Sequence, residues 1–229
     1  MTGTAAAGYD VVPLRASHCT AVARLHAISV DGFLSTLGPP ALRHFYRAYL
    51  DYPRACALIA RRTADGVVVG FVVGTEDLRR HYRMFVLKRL LPMVPALVAR
   101  ALTEPCIVLG LLGRARQVAG ILGRGPSQSG SRPYALPSAH LMMMAVHPRF
   151  RSRGVGEALV RSFTDEMARR GVPRLILGVR DQNHTARRLY ERLGWQPALR
   201  ERAHDGSVSW LYVRDTEAES VHAASTPRP

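Results

Sequence analysis

Hydrophobic positions along this chain recur with two different periods, and the switching between them lays out an α/β domain. The apolar run at 11–15 reads as a strand. Val22, Leu25 and Ile28 then fall on one helical stripe that Ser17 is placed to cap. A second helix follows from Pro39 and Pro40 in its first turn, Leu42, Phe45, Tyr46 and Tyr49 on one face, and Pro53 as its stop. The β-prone runs 56–60 and 67–73 flank Thr63-Ala64-Asp65-Gly66, whose Asp-Gly pair suits a hairpin turn with positive φ.

In the second half the pattern sharpens. Residues 140–146 form a continuous apolar strand, 154–170 a helix with Val155, Leu159, Phe163 and Met167 at successive i+4 positions, and 175–179 another buried strand. Ala186, Leu189, Tyr190 and Leu193 share the face of a short helix, with Gly194 where its end favours a left-handed residue. Runs 199–203 and 208–213 close as a hairpin turning at Asp205-Gly206. One domain over 8–215 is expected, with residues 1–7 and the Ala/Ser/Thr/Pro stretch from Thr216 onward as loose tails.

Residues 78–137 break the rhythm and read as an insertion. Apolar positions at Leu78, Tyr82, Phe85 and Val86, then Ile107, Leu111, Val118 and Leu122, predict two or three helices before a Gly/Ser-rich end at 123–131. Ten basic residues face one acid here, Glu104, so the segment holds nine of the chain's fifteen net positive charges. Lys88 is the only lysine, and a coding preference for arginine would also raise the charge, but its concentration in the insertion favours selection for an anionic contact. Three readings stand open for the insertion: a lid over a pocket for an anionic or lipid-bearing amine, a basic patch resting on anionic membrane, or a solvated helical cap with ordinary arginines.

Composition narrows the class. With 229 residues, 47% hydrophobic and 21% charged, the chain has material for a packed core and is neither disordered nor fibrous. Cys19, Cys56 and Cys106 are too few and scattered for a disulfide framework or zinc knuckle, so no metal is expected. The first seven residues lack a basic flank and an apolar run, and the apolar stretch 90–112 is interrupted by Pro92, Pro95, Arg100, Glu104 and Pro105, which points to a cytoplasmic protein without a membrane span. Aromatics at 7% and the lack of a helix-turn-helix or RNA-binding signature argue against nucleic acid as partner.

The candidate chemistry lies at 145–156, where a strand meets a glycine turn and a helix start. Amides of Arg153, Gly154, Val155 and Gly156 together with the helix dipole can chelate a pyrophosphate, the glycines letting its oxygens approach the backbone. The same glycines could instead serve only to cap a turn. No Gly-Lys-Ser/Thr and no early G-x-G-x-x-G is present, which excludes the nucleotide P-loop and the dinucleotide fold.

Val146, Pro148, Arg151, Gly154 and Gly156 spell V-x-P-x-x-R-x-x-G-x-G, which resembles the acetyl-CoA motif of the GNAT N-acetyltransferase superfamily. Asn183, Ala186, Leu189, Tyr190, Glu191, Gly194 and Trp195 resemble that superfamily's N-x-x-A-x-x-L-Y-E-x-x-G-F/W block. The resemblance is close over 141–195, extends by element order to 11–75, and does not reach the insertion. It implies a GNAT-type α/β fold: a mixed, mostly antiparallel sheet flanked by helices, with the insertion between the third and fourth strands. It also implies an acetyl-CoA-dependent N-acetyltransferase acting on a primary amine by direct attack. A small-molecule amine is the first acceptor class and a protein N-terminus or lysine the second, with a non-catalytic CoA-binding or anionic-polymer-binding module as the rival from another class. Monomer and homodimer are both compatible with the sequence.

Carried over by position, the resemblance gives the backbone of Met144, Ala145 and Val146 to the pantetheine arm, and the loop Arg151, Ser152, Arg153, Gly154, Val155 and Gly156 to the pyrophosphate. Asn183 bonds the cofactor where the central strands splay, and Tyr190 faces the thioester sulfur as general acid. The bland alternative for Tyr190 is a core aromatic on a helix stripe. His140 stands where related enzymes carry a base, and Met142 where a second relay histidine would be. Strand alternation would put His140, Met142 and Met144 on one face, and a histidine stacked at a strand edge is the plain alternative. Glu76 and Asp77 are fallback bases or solvated loop carboxylates. His147 and His184 are assigned to loop and helix-start conformation, and the methionine run 142–144 to core packing.

Overall fold

The computed structural model describes residues 8–104, 138–202 and 208–216. The predicted helices at Ile107 to Leu122, the Gly/Ser-rich stretch, Cys106, the Asp205-Gly206 turn, and all the tails except Thr216 lie outside them. Seven strands form one sheet in the order β1-β2-β3-β4-β5-β7-β6: β1 Tyr9–Pro13, β2 Ala55–Arg62, β3 Val68–Thr75, β4 Ser138–Val146, β5 Arg174–Arg180, β6 Gln196–Arg202 and β7 Val208–Asp215. Only β4 and β5 run parallel, and every other neighbouring pair is antiparallel. This is the mixed, mostly antiparallel sheet expected from the sequence.

Helices cover both faces. On one, α1 (Cys19–Ser29), the single turn α2 (Phe33–Thr36) and α3 (Gly38–Asp51) precede β2. On the other lie α6 (Val155–Arg169) and α7 (His184–Arg192). Val155, Leu159, Phe163 and Met167 of α6 are all buried, as their spacing requires, in a core shared with Leu141, Leu175, Tyr190 and Trp195. The opposite core gathers Val22, Leu25, Leu42, Tyr46 and Tyr49 against Ile59, Phe71 and Val73.

Two glycines on β3 set how closely α6 seats. A β-carbon on Gly70 would fall 2.9 Å from Leu159 Cδ1, and one on Gly74 would fall 2.5 Å from the Phe163 ring and closer still to the His140 carbonyl oxygen. Neither glycine has positive φ, so both are there for space rather than backbone freedom. Opposite Gly74 the ladder slips: Val73 faces Met143 while Gly74 faces Leu141, leaving Met142 as the extra residue of a bulge.

That bulge corrects the expected face. Ala139 and Leu141 point to the α6–α7 core, but past Met142 it is Met144 and Val146 that pack there, and Met143 and Ala145 turn to α1 and α3. His140, alternating with Ala139 and Leu141, therefore faces α1 and α3 and does not share a face with Met144.

Other expectations are corrected at helix ends. Ser17 does not cap α1. A short 3₁₀ turn, Ala16–His18, precedes the helix, and its cap position, His18, makes no side-chain cap bond. Ile28 is 60% exposed, and the stripe instead buries His26, whose Nδ1 meets the Tyr46 hydroxyl. Thr216, assigned to the loose tail, is buried, its amide donating to Pro173 O at 2.9 Å.

The described part of the insertion is one helical run rather than separate helices: α4 (Leu78–Phe85), a π turn (Val86–Leu90) and α5 (Leu91–Thr103). Pro92 and Pro95 offer no amide to the carbonyls of residues 88 and 91, and the run widens into the π turn just before them. α5 leans on the start of α3 through Met93 against Leu37 and Ala41, and Arg89 grips Asp51 with Nη2 2.6 Å from Oδ1.

Candidate active site

The parallel pairing of β4 and β5 stops at Leu141 opposite Leu177. β4 continues to Val146 on β3, and β5 continues to Arg180 on β7. From Met142 to Val146 the β5-facing edge of β4 thus has no strand partner among the described residues, and the sheet opens into a wedge. Peptide groups along such an edge offer donors and acceptors to an extended ligand as another strand would. Met144, Ala145 and Val146, which the sequence assigns to the pantetheine arm, lie on this edge.

The wedge leads to the start of α6. His147 Nδ1 accepts from Arg149 N at 3.2 Å, folding Pro148–Phe150 into a 3₁₀ turn, so His147 does serve loop conformation. Ser152 follows with φ +59°, and Gly154 takes the helix cap position at φ +78°. Left-handed conformations on both sides of Arg153 curl the chain so that successive amides converge. Among the described residues the amides of Ser152, Arg153, Gly154, Val155 and Gly156 donate no hydrogen bond, and the first helical bond runs from Ala158 N to Gly154 O at 2.9 Å. No side chain caps α6 either. Five open donors at the positive end of a fifteen-residue helix make an anion site.

The surroundings keep that loop in place. Arg151 donates from Nε to Val146 O at 3.3 Å and from Nη2 to Ser29 O at 3.4 Å, tying it to β4 and to the end of α1. Arg153 stacks over Phe150 at 5.8 Å. Behind the loop, Gly156 is within ordinary contact reach of Leu189, Val146 and Met144, so the loop, β4 and α7 meet at one point.

Across the wedge, Asn183 caps α7 by accepting from Ala186 N at 3.1 Å through Oδ1, which leaves its side-chain NH2 as a donor. Its position is fixed by Asp181, which sequence reasoning did not single out. Asp181 accepts from Trp210 Nε1 at 2.6 Å, from Arg187 Nη1 at 3.1 Å and from Arg200 Nη2 at 3.0 Å, binding the end of β5 to α7 and to the β6–β7 hairpin. These partners hold its carboxyl below the usual carboxylate range, the Trp210 hydrogen bond first. No local motif marks this cluster, because its members are spread over thirty positions of the sequence.

Tyr190 lies on α7 in the core, with the rings of Trp195 and Tyr212 at 5.9 and 6.4 Å. Burial holds its phenol protonated well above its ordinary range. His140 faces the other side of the sheet. Burial pushes its imidazole below the ordinary value of 6.5 against the opposing pull of Asp77, so it is neutral at pH 7. The structure therefore does not gather Tyr190 and His140 on one face but sets them on opposite faces of the sheet. Glu76 is paired to Arg170 at 3.2 Å, and Asp77 caps α4 through Arg80 N at 2.9 Å, so both have structural work. His184 sits in the first turn of α7.

A concavity of about 480 Å³ opens elsewhere, between the start of α3 and α5, lined by Leu37, Pro39, Ala96 and Arg100 among others, and none of the predicted site residues lines it. Cys19 and Cys56 are buried free thiols, and among the described residues no group of three or more His, Cys, Asp or Glu could hold a metal ion.

Residues 99–195 match the family model described as Acetyltransferase (GNAT) family. A curated relative, [Ribosomal protein bS18]-alanine N-acetyltransferase of Escherichia coli (strain K12), is 43% identical over 63 residues, covering 28% of this chain and 43% of that protein. The chain thus matches less than half of that relative's length. Among solved structures, the ribosomal-protein-S18-alanine N-acetyltransferase from Escherichia coli superposes with TM-score 0.55 at 17% identity, over 91% of this chain and 94% of that one. YncA from Salmonella typhimurium, solved with its cofactor acetyl-CoA, gives TM-score 0.55 at 15% identity, over 91% and 94%. At these identities the structures speak for the fold.

Proposed function

We propose that this chain is a GNAT-type acetyltransferase, as the match to that family's model over residues 99–195 supports, and that it uses acetyl-CoA to acetylate a primary amine by direct attack, without a covalent enzyme intermediate. The observation that carries the reading is the row of open amides from Ser152 to Gly156 at the mouth of the β4–β5 wedge. A diphosphate matches those donors, and an extended amide-bearing arm matches the unpaired edge of β4.

Acetyl-CoA supplies an activated acetyl thioester when bound. The amides of residues 152–156 and the positive end of α6 would hold its diphosphate, the backbone of Met144 to Val146 its pantetheine arm, and the Asn183 side-chain NH2 a polar group across the wedge. The Met144 amide would serve the thioester oxygen. Tyr190, kept protonated by burial, would donate to the departing sulfur, and neutral His140 would take a proton from the amine. An alkylamine with pKa about 10 is neutral in only roughly one part per thousand at pH 7, so a base is chemically required. Acid and base on opposite faces suit an amine arriving from the α1–α3 side and a thiol leaving on the α6–α7 side.

A small-molecule amine is the acceptor that the sequence places first. The relative named for the alanine of a ribosomal protein supports a polypeptide α-amine at least as well. Thiol release from acetyl-CoA, measured with the full chain against one panel of small amines and one of peptides with free alanine N-termini, decides between them. Release dependent on either panel supports acetyl transfer. CoA binding with no release on either panel leaves the non-catalytic CoA-binding module.

A further inference from the structure

The described part of the insertion is sealed on one side and open on the other. Met93, Ala96 and Leu97 of α5 pack against the start of α3. Its outward stripe carries Leu91, Val94, Val98 and Leu102, with Leu87 on the π turn continuing the line, and Leu87, Leu91 and Leu102 are 76, 79 and 80% exposed. These positions step by three and four, so they form one ridge along the helix. A ridge of aliphatic side chains in water with no charge among them is costly to leave uncovered.

Followed back into α4, the same ridge line reaches Arg80 and Arg83, both exposed, with exposed Lys88 beside it on the π turn. The insertion's described acids do not offset them: Glu104 is drawn to Arg100 at 2.6 Å at the far end. The arrangement is an aliphatic ridge with a cationic end on a convex helix.

We propose that this ridge docks the protein on an anionic lipid surface. Aliphatic side chains on a convex helix can enter the acyl boundary, while guanidinium and ammonium groups at one end reach lipid phosphates, and the two contributions act together where either alone binds weakly. Charge complementarity selects this occupant: a neutral apolar partner would not use the cationic end, and an acidic partner without an apolar surface would not use the ridge. No helix among the described residues is long and apolar enough to cross a membrane, so the contact is a surface one. The proposal does not rest on acetyl transfer, and its test reads binding rather than turnover.

The experiment is co-sedimentation of the full chain with vesicles of phosphatidylglycerol and phosphatidylcholine, compared with phosphatidylcholine alone, at low and high salt. Expected is pelleting with the anionic vesicles only, weakened by salt. Leu91→Asp with Val98→Asp lowers the pelleted fraction at least about tenfold with an unchanged unfolding midpoint, since both sites are exposed. Arg80→Glu with Arg83→Glu lowers it and removes the salt dependence, while Val67→Asp, an exposed aliphatic position on the β2–β3 hairpin, leaves it as it was. Failure to pellet with anionic vesicles, or pelleting that survives Leu91→Asp with Val98→Asp, overturns the proposal. So does a homodimer in sedimentation equilibrium that this same pair of substitutions splits, because the ridge would then be a protein interface.

Discussion

Gly74 on β3 and Phe163 on α6 touch through the space a side chain would fill: a β-carbon on Gly74 would sit 2.5 Å from the Phe163 ring. The same glycine lies under the His140 carbonyl, beside the bulge at Met142. Helix seating, bulge and wedge thus share one point of contact, and α6, whose first turn carries the open amides, is located by it.

Gly74→Ala is therefore expected to cost on the order of 2–4 kcal/mol, since Phe163 is packed and the His140 carbonyl belongs to the sheet. Gly178→Ala on β5, where a β-carbon meets nothing within 4 Å, is expected to change stability by less than about 0.5 kcal/mol. Urea unfolding of both variants is the check.

Tyr190→Phe removes the hydroxyl while keeping the ring contacts to Trp195 and Tyr212. Turnover is expected to fall about 10² to 10⁴-fold, with acetyl-CoA affinity nearly unchanged. Unchanged turnover would return Tyr190 to the role of a core aromatic.

For His140, burial lowers the imidazole pKa, so the base form persists below pH 6.5 and is lost only as the pH falls through that lowered value. The acidic limb of kcat/KM is expected below 6.5, and His140→Gln should abolish it along with most of the activity. A limb that stays in place in the variant assigns it to another group.

His26 and His81 supply a pH dependence of stability. Desolvation pushes both down to about 4 from 6.5. Between these values the unfolded chain binds more protons than the folded one, so stability is complete above about 6.5 and declines as the pH falls toward 4, by on the order of 3 kcal/mol per histidine. His81 lies against the Tyr49 ring at 4.4 Å, and its Nδ1 has no hydrogen-bond partner among the described residues. His81→Phe keeps a ring in that place and should flatten the decline in a pH series of unfolding midpoints.

The parts of the fold legible in the sequence are those set by local pattern. Val155, Leu159, Phe163 and Met167 declare α6 because helix burial has a fixed period, and Gly66 and Gly194 mark turns because their φ values, +71° and +81°, demand it. The bulge at Met142 was not legible, since it arises where Gly74 and Phe163 crowd β4 from another part of the chain, and period-two reasoning runs straight through it. His26 looked polar and Ile28 apolar, yet burial follows the partner Tyr46 that α3 brings, twenty residues away. The loop of open amides at 152–156 could be read because amides and glycines act where they stand in the chain. Asp181 could not, because its importance lies in Trp210, Arg187 and Arg200 converging from three elements.

The most direct test is calorimetric titration of the full chain with coenzyme A and, separately, with pantetheine, which lacks the diphosphate and nucleotide. If the amides of residues 152–156 grip the diphosphate, coenzyme A binds at least about a hundredfold more tightly than pantetheine. Equal affinity for the two, or no uptake of coenzyme A by folded protein, contradicts the account.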